Sequence, residues 1–180
     1  MEKVSRHLAF LKHPGELRFK RWMDKNATDI LLQVHIKRAQ TVLDFGCGSG
    51  TYTIPAAKIV GESGLVCGLD IEKAALEKLK KKARLEGLRN VVTIASTGSE
   101  AIPLDDETVD HVLLIDVLQN IADRSALFAE VRRVLKPDGL ATVFPMHLDK
   151  KAVENIVIDK GFTLEQAPRE RILVFKRLET

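Results

Sequence analysis

Three glycines in one short loop are the residues of this sequence whose types and spacing most plainly suggest chemistry. The run Asp44-Phe45-Gly46-Cys47-Gly48-Ser49-Gly50 follows the apolar pair Val42 and Leu43 and precedes a segment predicted to be helical from Thr51. Glycine adopts backbone conformations closed to other residues and lets a ligand approach the main chain. The first N–H groups of the following helix have no intrahelical partner and can bind that ligand. The pattern therefore predicts a nucleotide-binding turn between a strand and a helix.

The glycine spacing argues against two familiar nucleotide sites. A dinucleotide fingerprint, Gly-x-Gly-x-x-Gly, would need its third glycine at Thr51. A P-loop would need a lysine followed by serine or threonine after the glycines, and no such pair stands there. Asp44, just before the loop, would repel a pyrophosphate and favours a ligand that carries a positive group.

A second carboxylate stands at the distance expected for a ribose partner. Asp70 ends the second predicted strand, 20 positions after Gly50. A carboxylate at about this offset accepts hydrogen bonds from ribose hydroxyls, and it can accept from two neighbouring hydroxyls at once. Ile71, the next residue, would offer an apolar face to the adenine.

The loop that begins at Asp44 closely resembles the first motif of class I S-adenosylmethionine-dependent methyltransferases. Residues 110–118 resemble the fourth strand of that family and the positions just beyond it. Residues 131–139 resemble its RVLKPGG motif, with Asp138 where glycine is common. Within the family, the sequence is most similar to the small-molecule branch that includes the quinone-biosynthesis methyltransferases.

This resemblance implies S-adenosyl-L-methionine as the cofactor and assigns roles to the loop and its neighbours. Asp44 would hold the amino end of the methionine moiety, directly or through water, and Asp116 would lie under the methionyl part. Asp70 would bind the ribose beside Ile71. The loop residues that would line the cofactor are Gly46, Cys47, Gly48 and Gly50.

The sequence departs from the family at two places. An acidic residue that accepts from the adenine amino group often follows strand three, but here Gly98 aligns with that position. Adenine recognition then falls to the main chain, Ser99 or Glu100. Gln119 stands where the quinone branch often has histidine, so the acceptor chemistry of that branch does not transfer directly.

Methyl transfer from a sulfonium needs mainly alignment and exclusion of water, because the methyl group is already activated. A base is needed only where the nucleophile arrives protonated. Candidates near the expected mouth are His7, His13 and His147, whereas His111 in a strand and His35 in a helix are predicted to be structural. No catalytic residue is assigned, and no metal site is expected because Cys/His clusters at zinc spacing are lacking.

The chain alternates predicted strands and helices from Thr41 onward. Strands are predicted at 41–44, 65–69, 91–95, 109–115 and 140–144, followed by a hairpin of 162–167 and 171–176. This order predicts an α/β fold: a Rossmann-like, mostly parallel seven-stranded sheet with helices on both faces and the last strand antiparallel. The predicted helices lie at 51–60, 72–86, 123–135 and 150–160, and a sharp turn is predicted at 136–139.

The first 40 residues form a helical N-terminal extension in this prediction. A helix capped by Asn26 or Thr28 should turn Ile30, Leu31, Val34 and Ile36 inward. Such an extension often covers the carboxyl ends of the strands, where it would act as a substrate lid. The predicted organisation is one methyltransferase domain over 1–180, with 1–40 as the cap and 41–180 as the cofactor-binding core.

Composition bounds the remaining expectations. A chain of 180 residues with 45% hydrophobic and 29% charged residues is typical of one globular domain. The lack of a long apolar run and of a secretory signal predicts a cytoplasmic protein that does not span a membrane. The segment before Thr41 carries nine basic and four acidic residues, a net charge of +5.

From the resemblance we expect a methyltransferase with a small-molecule acceptor. Two alternatives are kept: an RNA methyltransferase recruited through the basic segment before Thr41, or a cofactor-binding partner protein without activity. No oligomeric state is predicted.

Overall fold

The alternation of strands and helices builds a seven-stranded sheet with the order β3-β2-β1-β4-β5-β7-β6. The computed structural model describes residues 14–98, 100–169 and 171–179. Its strands are β1 (Thr41–Phe45), β2 (Leu65–Asp70), β3 (Val91–Ala95), β4 (Val109–Ile115), β5 (Leu135–Phe144), β6 (Phe162–Arg169) and β7 (Ile172–Arg177). The helices are α1 (Pro14–Lys25), α2 (Ala27–Gln33), α3 (Thr53–Val60), α4 (Lys73–Leu85), α5 (Arg124–Val134) and α6 (Lys150–Asp159), with a 3₁₀ turn at Leu118–Asn120.

The strand directions confirm the predicted fold class. Strands β1 to β5 pair in parallel, and β7 runs antiparallel to both β5 and β6. A parallel neighbour requires a crossover, which is why a helix intervenes between most successive strands. The final hairpin needs only a short turn, so β6 and β7 follow one another directly.

Apolar residues on both faces of the sheet explain its burial between two layers of helices. Successive side chains of a strand point to opposite faces. Val42 packs into the layer of α1, α2 and α3, whereas Leu43 packs into the layer of α5 and α6. Helix α4 adds a smaller cluster, in which Leu79 meets Cys47 of the glycine loop.

The described part of the N-terminal extension is packed into the core. Met23 of α1 is fully buried, and the inward positions predicted for the next helix and its exit are buried as well: Ile30, Leu31, Val34 and Ile36. The ring of Phe19 lies 5.6 Å from that of Phe144 at the end of β5. Helix α1 is thus fixed beside the carboxyl end of the sheet. His7 and His13 lie outside the described residues.

Four local predictions differ from the structure. Strand β5 begins at Leu135, and residues 136–139 form a bulge within it, because Val109 pairs with Leu135 and His111 with Leu140. Helix α3 begins at Thr53, because residues 46–52 form the turns of the glycine loop. Asn26 rather than Thr28 precedes α2, but its side chain donates to Trp22 O and makes no cap. His35 lies in a turn after α2, since that helix ends at Gln33.

No helix in the described ranges is both long and apolar enough to cross a membrane.

Candidate functional site

A cavity of about 570 Å³ opens at the carboxyl ends of β1, β2 and β4. This end of an open parallel sheet is where ligands bind in α/β folds. Five of the predicted site residues line the cavity: Gly46, Asp70, Ile71, Gly98 and Asp116. The fold therefore brings together residues from four loops that lie far apart in the sequence.

Asp70 connects the glycine loop to the end of β2. Its Oδ2 accepts from the main-chain N–H of Gly48 at 2.7 Å, and its Oδ1 accepts from that of Glu72 at 2.8 Å. A carboxylate offers about four acceptor positions. Two of them face the main chain here, so the remaining lone pairs can accept from hydroxyl groups in the cavity.

The three glycines of the loop have different surroundings. All have positive φ angles, of 76° at Gly46, 53° at Gly48 and 88° at Gly50. A Cβ on Gly46 would lie 2.6 Å from Val117, and a Cβ on Gly50 would lie 2.5 Å from Leu79, but a Cβ on Gly48 would meet nothing within 4 Å. Gly46 lines the cavity, whereas Gly50 is buried against α4. The cofactor contact of Gly50 stays a prediction, and its observed neighbour gives it a packing role.

A matched pair of alanine variants should separate packing from binding in this loop. Gly50→Ala should lower the free energy of unfolding by about 2 kcal/mol, because the methyl group meets Leu79 and the left-handed backbone disfavours alanine. Gly48→Ala should cost only about 1 kcal/mol, since it adds no clash. Urea denaturation of both variants measures the difference. Equal losses would contradict the packing role given to Gly50.

Cys47 is buried beside the loop. Its thiol is 3.6 Å from the carbonyl oxygen of Gly48, to which it donates, and burial raises the pKa of the thiol. The side chain packs with Leu76 and Leu79 of α4. A neutral, buried thiol in this position fills the core, so a cofactor contact of Cys47 would have to come from its main chain.

Asp44 lies beneath the loop and is only 2% exposed. Its Oδ2 accepts from Thr53 Oγ1 at 2.6 Å. Burial raises its pKa to about 6, and the nearby Asp70 adds to the shift. A carboxylate in such surroundings gains from any cation that reaches it, because the charge is otherwise poorly solvated.

Asp116 follows β4 and faces the same cavity. Its φ of 56° is unusual for a residue other than glycine. The side chain accepts from Gln119 Nε2 at 2.7 Å, and burial raises its pKa. Gln119, at the position where histidine was expected from the resemblance, therefore holds Asp116 in this structure.

Helix α1 brings further charged groups to this end of the sheet. Lys20 contacts the carboxylate of Asp24, and Tyr52 Oη donates to the same carboxylate at 2.9 Å. Glu16 is buried, contacts the guanidinium of Arg171, and accepts from the main-chain N–H of His147. These contacts join α1 to the glycine loop, to the end of β5 and to the final hairpin.

Two histidines have the surroundings expected of them, whereas His35 is exposed in a turn and does not have the structural role predicted for it. His111 is fully buried, its Nε2 lies 2.7 Å from Thr142 Oγ1, and burial lowers its pKa to about 3. It is therefore neutral and structural, as predicted. His147 lies just past β5, where its Nδ1 is 2.7 Å from Glu16 Oε2. Of the three candidate bases, His147 is the one within the described residues.

A family model described as a methyltransferase domain matches residues 36–165, which include the glycine loop, Asp70 and Asp116. The chain belongs to this methyltransferase domain family. The match confirms the resemblance that the glycine loop and residues 131–139 suggested.

Two curated methyltransferases illustrate the similarity. Demethylmenaquinone methyltransferase of Lactobacillus johnsonii is 36% identical over 107 residues, which cover 59% of this chain and 44% of that protein. The ubiquinone/menaquinone biosynthesis C-methyltransferase UbiE of Escherichia coli O1:K1 is 35% identical over 104 residues, which cover 58% of this chain and 41% of that protein. The match thus spans less than half the length of these relatives.

Solved methyltransferase structures share the fold. The SAM-dependent methyltransferase of Aquifex aeolicus superposes with a TM-score of 0.73 at 24% identity, over 83% of this chain and 87% of that one. A second structure, of a protein from Methanococcus maripaludis, matches over 99% of this chain and 94% of that one, with a TM-score of 0.72 and 16% identity. At these identities the likeness concerns the fold alone.

Further residues, which the sequence did not single out as site residues, line the same cavity. They are Phe45, Leu69, Glu72, Ser96, Val117, Asn120 and Ile121. Most lie within two residues of a strand's carboxyl end or in the 3₁₀ turn after β4, so the predicted strand ends were the available signal. Gly98 takes a φ of 91°, and its N–H donates to Ser96 Oγ. Ser99 lies outside the described residues, so its adenine contact stays a prediction.

Proposed function

We propose that the protein is an S-adenosylmethionine-dependent methyltransferase whose acceptor is a small, quinol-type molecule. The observation that carries this proposal is the cavity at the carboxyl ends of β1, β2 and β4, with acidic side chains placed along it. Asp70 and Asp116 both line this cavity, and the proposal assigns Asp70 to the ribose hydroxyls and Asp116 to the methionine moiety. The family match supports methyl transfer as the reaction class.

The cofactor would fit the residues that line this cavity. Its adenosine carries neighbouring hydroxyls for Asp70, and Ile71, which is 67% exposed, can cover an adenine ring. Gly46 has no side chain to block the approach to the main chain. The ammonium of the methionine moiety would find half-buried Asp116 in the lining and buried Asp44 beneath the glycine loop. Burial raises the pKa of both carboxyl groups, so both favour a cation.

The chemistry that the bound cofactor supplies is an activated methyl group on a sulfonium. The chain's own residues then have to align the acceptor and exclude water. Helix α1 is held by Glu16 and by the packing of Phe19 on Phe144. It lies beside the carboxyl ends of the strands and helps to enclose them. This fixed position supports the role of a cap for α1 within a single domain, rather than that of a freely swinging lid.

The acceptor class rests on the relatives. Their names state that they methylate demethylmenaquinone or act in ubiquinone and menaquinone biosynthesis. A reduced quinone is an electron-rich aromatic ring, which suits attack on a sulfonium methyl group. The comparisons give no support to an RNA acceptor.

Methyl transfer from labelled cofactor tests the proposal. The full chain is incubated with labelled S-adenosylmethionine and either a short-chain demethylmenaquinol or bulk RNA. We expect label in the organic extract of the quinol reaction and none in the RNA. Label in the RNA would show that the acceptor is RNA and not a quinol. Binding of the cofactor without transfer to any acceptor in a metabolite extract would favour a partner protein instead of an enzyme.

A further inference from the structure

We propose that Lys20 of α1 binds the carboxylate of the cofactor's methionine moiety, so that the N-terminal helix completes the cofactor site. The inference rests on the proposed function, since it assigns a partner to one group of that cofactor. Helix α1 then forms part of the binding site for the methyl donor and also encloses the acceptor site on one side.

The packing of α1 places Lys20 next to the glycine loop. Its ammonium lies 5.4 Å from the centroid of the Tyr52 ring, and Tyr52 follows the last glycine of the loop by two positions. The Lys20 side chain is only 17% exposed, and its ammonium contacts Asp24. Tyr52 Oη donates to the same oxygen of Asp24, Oδ1, that Lys20 contacts. The ammonium is therefore confined between α1 and the start of α3.

The charges around Lys20 match a zwitterion. Burial raises the pKa of Asp44 and of half-buried Asp116, and the positive charge of Lys20 opposes part of that rise at both carboxyl groups. The amino acid end of the cofactor carries an ammonium and a carboxylate on one carbon atom. Its ammonium would add a positive charge among the aspartates, and its carboxylate then needs a cation close by. Lys20, whose contact in the ligand-free protein is Asp24, supplies that cation without any new charge from the protein.

The anchoring of α1 holds Lys20 in place before the ligand arrives. One turn before Lys20, Glu16 is tied to Arg171 and to the N–H of His147. One turn after it, Met23 is fully buried in the core. A binding group held in this way loses little conformational entropy on binding. Removal of α1 should consequently weaken binding of the methyl donor as well as use of the acceptor.

Two ligands that differ in the amino acid end test the assignment. S-Adenosylhomocysteine carries the ammonium and the carboxylate, whereas 5′-methylthioadenosine lacks both. Lys20→Met should weaken binding of S-adenosylhomocysteine about tenfold or more, because a charged hydrogen bond is lost. It should leave the affinity for 5′-methylthioadenosine unchanged. Isothermal titration calorimetry on the full chain measures both affinities.

Lys25→Met is the matched control, since Lys25 is an exposed lysine in the last turn of the same helix. It should bind both ligands as the unaltered chain does, and Lys20→Arg should recover most of the lost affinity. An unchanged affinity of Lys20→Met for S-adenosylhomocysteine would overturn the inference. Equal losses for both ligands would also overturn it, because they would indicate a structural role. If the unaltered chain binds neither ligand, the proposed function itself is wrong.

Discussion

Asp70→Ala should weaken binding of S-adenosylhomocysteine by about 2–3 kcal/mol, or about 30- to 150-fold. Two losses combine in this variant. The ribose hydroxyls lose a charged acceptor, and the glycine loop loses the carboxylate that accepts from the N–H of Gly48 at 2.7 Å. Because both effects act on the same ligand, the change exceeds that expected for a single neutral hydrogen bond.

Calorimetry of Asp70→Ala beside Asp70→Asn separates these losses. The amide of asparagine keeps one acceptor oxygen, so its loss of affinity should be smaller. Asp29→Ala, which removes an exposed carboxylate of α2, serves as the control and should bind normally. An affinity of Asp70→Ala equal to that of the unaltered chain would remove Asp70 from the cofactor site.

Asp44→Asn should raise the stability of the ligand-free protein at pH 8 while it weakens cofactor binding. Burial raises the pKa of Asp44 from 3.8 to about 6, so keeping the carboxylate ionised costs the folded state about 3 kcal/mol at pH 8. Asparagine carries no charge and can still accept from Thr53 Oγ1. Its amide N–H groups need partners, so we expect a net gain of about 1–2 kcal/mol.

The sign of the pH dependence follows from the raised pKa. Between pH 4 and 6 the folded protein holds the Asp44 proton more tightly than the unfolded chain does, so this residue makes stability fall as pH rises. Below pH 4 the penalty is absent, and above pH 6 it is complete. Urea denaturation across this range should show the gain of Asp44→Asn growing with pH. A variant less stable than the unaltered chain at pH 8 would contradict the account.

The affinity for the cofactor should rise as Asp44 loses its proton, whereas the stability of the ligand-free protein falls. The ammonium of the ligand favours the ionised carboxylate, so the affinity of the unaltered chain should rise as pH passes 6. Asp44→Asn should show lower affinity and lack that rise. The residue would then be one whose burial lowers stability and aids binding, as is common at functional sites.

Local sequence patterns determined the strands and the loop of this protein. The apolar runs of β3 and β4 led to the observed bounds of both strands. The glycine loop and Asp70 were predictable because a strand, a loop and a helix contiguous in sequence form one unit, in which the Asp70 contact to Gly48 spans only 22 positions. The bulge of β5 escaped prediction because Lys136-Pro137-Asp138-Gly139 has the composition of a turn, whereas the pairing of Leu135 with Val109 depends on a neighbouring strand.

Only the tertiary structure decided what the N-terminal helix contributes. Glu16 and His147 are 131 positions apart, and no local pattern of either predicts their contact. Lys20 is one of several lysines in a basic segment, and its place beside Tyr52 follows from the way α1 packs on the sheet. The sequence by itself determined the fold class and the position of Asp70 beside the glycine loop, since both depend on periodicity and on turns within short stretches. The surroundings of Lys20 were decided by packing between distant elements, which sets where a flexible side chain comes to rest.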